Sequence, residues 1–201
     1  MDNNENQAVF FGGTREEYLV KAVSLVRGFF DRSGHALPKE LRVSVGFPGG
    51  GSARKRIGEH WHPKSSRDGV SQIFISPVLD DSYQVLDVLC HELVHSVYPS
   101  DGHRKGFAKA CKALGMSKPW KTASVPRESN LGGLLKLIEQ YIGRYPHSAL
   151  NLSDRKKQTT RMVKCLCESC GYVARTSNQW IESSGAPICP CNDTAMTVEV
   201  K

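Results

Sequence analysis

The stretch CHELVHSVYPSDGH, residues 90–103, constrains this chain more than any other. His91 and His95 stand four apart, Glu92 follows the first, and His103 comes eight positions after the second. On an α-helix, residues i and i+4 lie one turn apart on the same face, so both imidazoles can meet one ion. Glu92 is rotated by about 100° from His91. That borders the same side, near enough to act on a water at the ion instead of on the ion itself. Leu86, Leu89, Leu93 and Val97 fall on the far side and are expected to pack. The pattern predicts a helix with a buried back and a coordinating front.

A metal site that keeps a position open for water takes three protein ligands. His103 is the one histidine between His95 and His147, and the SVYPSDG before it holds the Pro and Gly of a chain reversal. No carboxylate lies between Asp101 and Glu128, which disfavours an acidic third ligand. HExxH also arises by chance; the apolar back and the placed third histidine favour metal. The EHWH stretch puts His60 and His62 on one side of a short strand, which could place another imidazole near the cleft, although a surface or hydrogen-bonded role is the one expected. Cys90 is assigned to the core.

Around this segment the periodicities predict a mixed α+β fold. TREEYLVKAVSLVRGFF opens with a capping box, Thr14 and Glu17, and repeats Leu19, Ala22, Val23, Val26 and Phe30 at helical spacing until Gly34. LRVSVGF alternates, with Leu41, Val43, Val45 and Phe47 on one side. PGGGSARKR reads as a turn; it lacks the GxxxxGK[ST] spacing of a phosphate loop. IGEHW and SQIFIS are two further strands, and with no crossover helix between them the sheet should be antiparallel or mixed. Asp80 or Asp81 can cap the histidine helix and Pro99 closes it. Another helix is expected from Gly102 or His103 to Gly115. Phe107, Ala110, Cys111 and Leu114 form its inner stripe, and Arg104, Lys105, Lys109 and Lys112 its outer face. A last apolar-periodic helix runs from Leu131 to Ile142.

The tail has a different grammar. Five of the seven cysteines lie between residues 165 and 191. Cys167-x2-Cys170 and Cys189-x-Cys191 can each grip one ion from a tight turn, and two such turns close a tetrahedron. Gly171 suits the first turn, and YVART and AMTVEV read as strands. The second half is Cys-Pro-Cys, with Cys165 as an additional thiol, so the fourth ligand is either Cys191 or Cys165. The expected product is a structural zinc ribbon.

Composition fits this division into a domain and a small module. Hydrophobic residues make up 39% and charged residues 23%, as in soluble globular chains. No apolar run is long enough to span a membrane. The polar, acidic MDNNENQ start lacks the features of a secretory signal, which predicts the cytoplasm and metal over disulfides. The net charge is +7, and between residues 99 and 127 seven Lys or Arg face one acid, Asp101. Such an excess favours a polyanionic partner.

HELVHSVYPSDGHRKGF resembles the SprT-like (Spartan-type) zinc metallopeptidases, which carry HExxH, then Gly-His, then a nearby Phe. The resemblance extends over SQIFISPVLDD and FAKACKALGM and into the cysteine-rich tail. It implies a zincin-like domain over residues 1–127, a helix and linker over 128–154, and a zinc ribbon over 155–201. It implies two zinc ions, one catalytic and one structural. His91, His95 and His103 would be ligands to the first, with Glu92 as the catalytic glutamate, and the cysteines would hold the second. The implied substrates are proteins associated with or crosslinked to DNA. The nucleic acid would be held by the ribbon or by Arg104, Lys105, Lys109 and Lys112. Arg104 departs from the family pattern, where Gly often follows the third histidine. The alternative is a DNA-binding or transcription-associated zinc protein with little or no proteolytic activity.

Overall fold

A computed structural model describes residues 9–49, 56–154 and 162–199. The N-terminal stretch, most of the glycine-rich turn, residues 155–161 at the start of the expected ribbon and the last two residues lie outside the described residues. The chain divides into two compact units, Met1–Ser153 and Asp154–Lys201. No helix among the described residues is long and apolar enough to cross a membrane.

The first unit is α+β. Helix α1 (Arg15–Arg32) starts from the full Thr14–Glu17 capping box and stops before Gly34, whose φ of 79° only glycine adopts without cost. Its buried stripe, Tyr18, Leu19, Ala22, Val23, Val26 and Phe30, lies in the same core cluster as Val43, Ile73 and Ile75 of the sheet. Strands β1 (Leu41–Val45), β2 (Gly58–Trp61) and β3 (Ser71–Ile75) form a mixed sheet in the order β1-β3-β2. β1 pairs parallel with β3, and β2 pairs antiparallel with β3 on the other edge. β2 thus takes the place of a crossover helix. β1 ends at Val45, and Phe47, expected to face inward, is 47% exposed because it lies beyond the paired residues.

Helix α2 (Ser82–Val97) is capped by the Asp81 carboxylate, which accepts from Gln84 N–H at 2.8 Å. It is more enclosed than its sequence pattern predicts. Val85, Val88, Cys90 and Val94 are buried as well as Leu86, Leu89 and Leu93, because β2 and β3, α3 and α4 all pack against it. Only Asp87, His91 and His95, spaced i, i+4, i+8, form a continuous half-open stripe.

Helix α3 (Lys105–Ala113) begins later than expected. Residues 98–104 form a turn: Asp101 N–H bonds Tyr98 carbonyl, Gly102 takes a φ of 58°, and the Asp101 carboxylate accepts from Phe107 N–H at 2.9 Å. Arg104 is the N-cap residue, and the Asp101 side chain, three residues before it, accepts from the first turn, so His103 stands outside the helix. Helix α4 (Asn130–Ile142) follows, capped by Ser129.

In the second unit, β4 (Val163–Leu166) pairs with β5 (Val173–Thr176) and β8 (Thr197–Glu199). A short helix, α5 (Asn178–Ser184), leads to β6 (Ile188–Cys189), which pairs with β7 (Thr194–Ala195). Its buried hydrophobic cluster is Cys165, Cys167, Cys189 and Met196.

Candidate functional site

α2 carries two imidazoles on its open stripe, and the Asp101 turn returns the third to them. His95 Nε2 and His103 Nε2 are 3.2 Å apart, and one nitrogen from each of His91, His95 and His103 lies within 4.8 Å of the others. Two imidazoles on a tetrahedral zinc, with Zn–N near 2.0–2.1 Å, would hold their nitrogens about 3.3 Å apart. The donor set and spacing fit that ion. His91 Nδ1 lies 3.1 Å from Ala123 carbonyl oxygen, which leaves Nε2 as its ligand nitrogen.

Burial, then the neighbouring His91, His103 and His60, drives the His95 imidazole down to about 3. Burial also lowers His91 and His103, and Lys121 adds to the effect on His103. The rings are therefore held neutral, the form that offers lone pairs to a metal.

Glu92 is 7% exposed. Burial pushes its carboxyl up to about 8 and repulsion from Glu59 adds to this, while the His60 backbone N–H and Arg56 oppose it. It lies hard against β2: a Cβ at Gly58 would stand 2.7 Å from Glu92 Oε1 and 2.6 Å from Val88 Cγ1. A divalent cation at the imidazoles would favour the ionised form of this carboxyl.

His60 is hydrogen-bonded, as expected, and also reaches the histidine cluster. Its Nε2 is 3.1 Å from Ser71 Oγ, and its ring stacks on His95 with centroids 6.3 Å apart and planes 14° from parallel. His62 departs from the expected strand. It follows β2 and caps a short turn, with Nδ1 accepting from Lys64 N–H and Nε2 3.1 Å from Ser100 Oγ. Asp87, one turn before His91, accepts from Val125 N–H at 2.7 Å, and burial raises its carboxyl to about 6. Sequence reasoning missed Asp87; the i, i+4, i+8 polar spacing was its signal.

The second donor group is Cys167, Cys170, Cys189 and Cys191, whose sulfurs all lie within 4.8 Å of one another. Sγ separations are 3.7 Å for Cys167–Cys191, 3.6 Å for Cys170–Cys189 and 3.5 Å for Cys189–Cys191. Four thiolates at a Zn–S length of 2.3 Å would be about 3.8 Å apart, so zinc fits here too. Gly171, at φ 75°, closes the first turn on Cys167, and Asp193, at φ 54°, closes the second on Cys189. The Cys170 backbone N–H holds the Cys167 thiol down to about 6. Cys165 lies outside the group, fully buried on β4 between Ala174 and Val198, so Cys191 and not Cys165 completes the four.

Arg104, Lys105, Lys109 and Lys112 are all exposed, Arg104 as the residue before α3 and the others on it. No family model matches this chain, and neither the curated proteins nor the solved structures contain a match.

Proposed function

We propose that the chain is a zinc-dependent metallopeptidase of SprT type, with a zincin-like first unit. The observation that carries the reading is three imidazoles gathered with one nitrogen each within 4.8 Å of the others, and the buried carboxyl of Glu92 on the same helix, one residue from the first. Zinc in this position supplies Lewis acidity toward a carbonyl and acidifies water. Glu92 takes the proton of the attacking water and delivers it to the leaving amine. Gly58, with no Cβ, lets β2 lie close against that side chain. β2 is an edge strand beside Glu92, and its unpaired side suits an extended peptide added as a further strand.

The substrate class is protein held on DNA. α3 and the residue before it present four cations and no carboxylate. The ribbon, residues 155–201, carries seven Lys or Arg against Glu168, Glu182, Asp193 and Glu199, and a zinc tetrathiolate adds two negative charges. We therefore assign the phosphate contacts first to α3, where no carboxylate opposes the cations.

Two experiments test this. Glu92→Gln should keep both zinc ions and the fold but lose peptide hydrolysis by several orders of magnitude; full activity, or loss of zinc, rules out the role. Replacing Lys105, Lys109 and Lys112 by Glu should weaken DNA binding regardless of sequence and flatten its salt dependence, by up to about 0.9 in log–log slope for each phosphate no longer neutralised. Hydrolysis of a small peptide should change little. An unaltered salt slope in a folded variant would make α3 a solvated face, and the nucleic-acid role would move to the ribbon or be dropped.

A further inference from the structure

Resting on the zinc reading of His91, His95 and His103, we propose that Phe107 is the platform that holds the three imidazoles in coordinating geometry. It is a positioning residue with no polar side-chain atom. Its ring centroid lies 5.1 Å from that of His91, 4.3 Å from His95 and 4.9 Å from His103. The planes are inclined at 61°, 34° and 77°. Centroid separations near 4.5–7 Å and tilted or edge-on contacts are what the charge distribution of aromatic rings favours. The imidazoles themselves stand 5.1, 5.6 and 4.7 Å apart, so one benzene ring touches every member of the cluster.

Metal-binding histidines are ordinarily oriented by a carboxylate or carbonyl on the nitrogen away from the ion. Among the described residues His91 has such a partner, Ala123, whereas His95 and His103 have only each other at their Nε2 atoms. His103 is also exposed and sits in a turn. For these two rings the aromatic contact supplies the orientation that a hydrogen bond supplies elsewhere. Phe107 can do so because it is itself immobilised. It is fully buried with Ala110 and Cys111 on the inner face of α3, and its N–H is tied to the Asp101 carboxylate. One residue thus serves twice: Asp101 turns the chain to bring in His103 and also fixes the ring beneath it.

The test measures zinc retention in the full chain against graded chelator, with the tetrathiolate zinc as an internal reference. Phe107→Leu keeps an apolar side chain but removes the ring, and should release the imidazole-site zinc at about 10- to 100-fold lower chelator strength. Phe107→Tyr retains the ring and should stay within about threefold of wild type, even where the buried hydroxyl lowers the melting temperature. Leu114→Ala, a cavity in the same helix's packing, should lose stability but not zinc. Affinity that follows stability across the three variants, or wild-type affinity in Phe107→Leu, overturns the proposal while leaving the zinc site standing. A wild-type chain that holds only the tetrathiolate zinc overturns both. Should Phe107→Leu fail to fold, Phe107→Met is read the same way.

Discussion

The imidazole group and the thiolate group sit in units held together by different means. Around the imidazoles, α1, the sheet, α2, α3 and α4 share one core cluster that runs from Tyr18 to Tyr145. The ligands are appended to it: His91 and His95 occupy the one stripe of α2 that the core leaves half open. In the second unit the buried hydrophobic cluster is Cys165, Cys167, Cys189 and Met196, and two of those four belong to the group of four sulfurs able to hold an ion. Apolar burial at roughly 25 cal/mol per Å2 can stabilise the first unit without metal. It has little to act on in the second, where binding free energy must serve as folding free energy. An ion held by the imidazoles would therefore exchange without loss of its scaffold, whereas one held by the thiolates would not.

Breaking the thiolate group should give the largest effect. Cys167→Ser removes one of four ligands and should unfold residues 163–199, since apparent zinc-binding energies of about 10–16 kcal/mol sustain such modules. Zinc content should fall from two ions per chain to one, the remaining ion resting on the imidazoles. A variant that keeps its ribbon protected from hydrogen exchange would show that side-chain packing, not metal, holds the second unit.

The first unit should respond to a single methyl group. Gly58→Ala places a Cβ against Glu92 and Val88, and the overpacking should cost about 1–3 kcal/mol. A general base displaced by a fraction of an ångström should lose about 10-fold or more in turnover. Zinc affinity should be unaffected, because no imidazole touches Gly58 as Glu92 does. Wild-type turnover in this variant would mean that β2 does not set the position of Glu92.

Both donor groups were legible as spaced ligands, since helical i, i+4 geometry and tight-turn spacing are local properties. The Thr14 capping box, the Asp81 cap and the ends of α4 were legible for the same reason. What escaped depends on contacts distant in sequence. Ala123 reaches His91 from 32 residues away, and His60, placed near the cleft only as the lesser alternative, reaches His95 because β2 lies against α2. The late start of α3 follows from the Asp101 side chain accepting from Phe107 N–H, a choice that competes with several equally acceptable helix starts. The extent of the burial of α2 was hidden because periodicity distinguishes two faces, while five elements, α1, β2, β3, α3 and α4, pack against this helix. Whether Cys165 or Cys191 completes the thiolate group was open in the sequence; the alternation of β4 turns Cys165 into the core instead.

The difference between the two units is tested most directly by residue-resolved hydrogen exchange of the full chain in excess strong chelator. Amides of β4, β5 and β8 should exchange at unfolded-chain rates, while α1, β3 and α2 keep the slow exchange of an intact core. Retained protection at residues 163–199, or collapse of α2 along with the ribbon, would contradict the account.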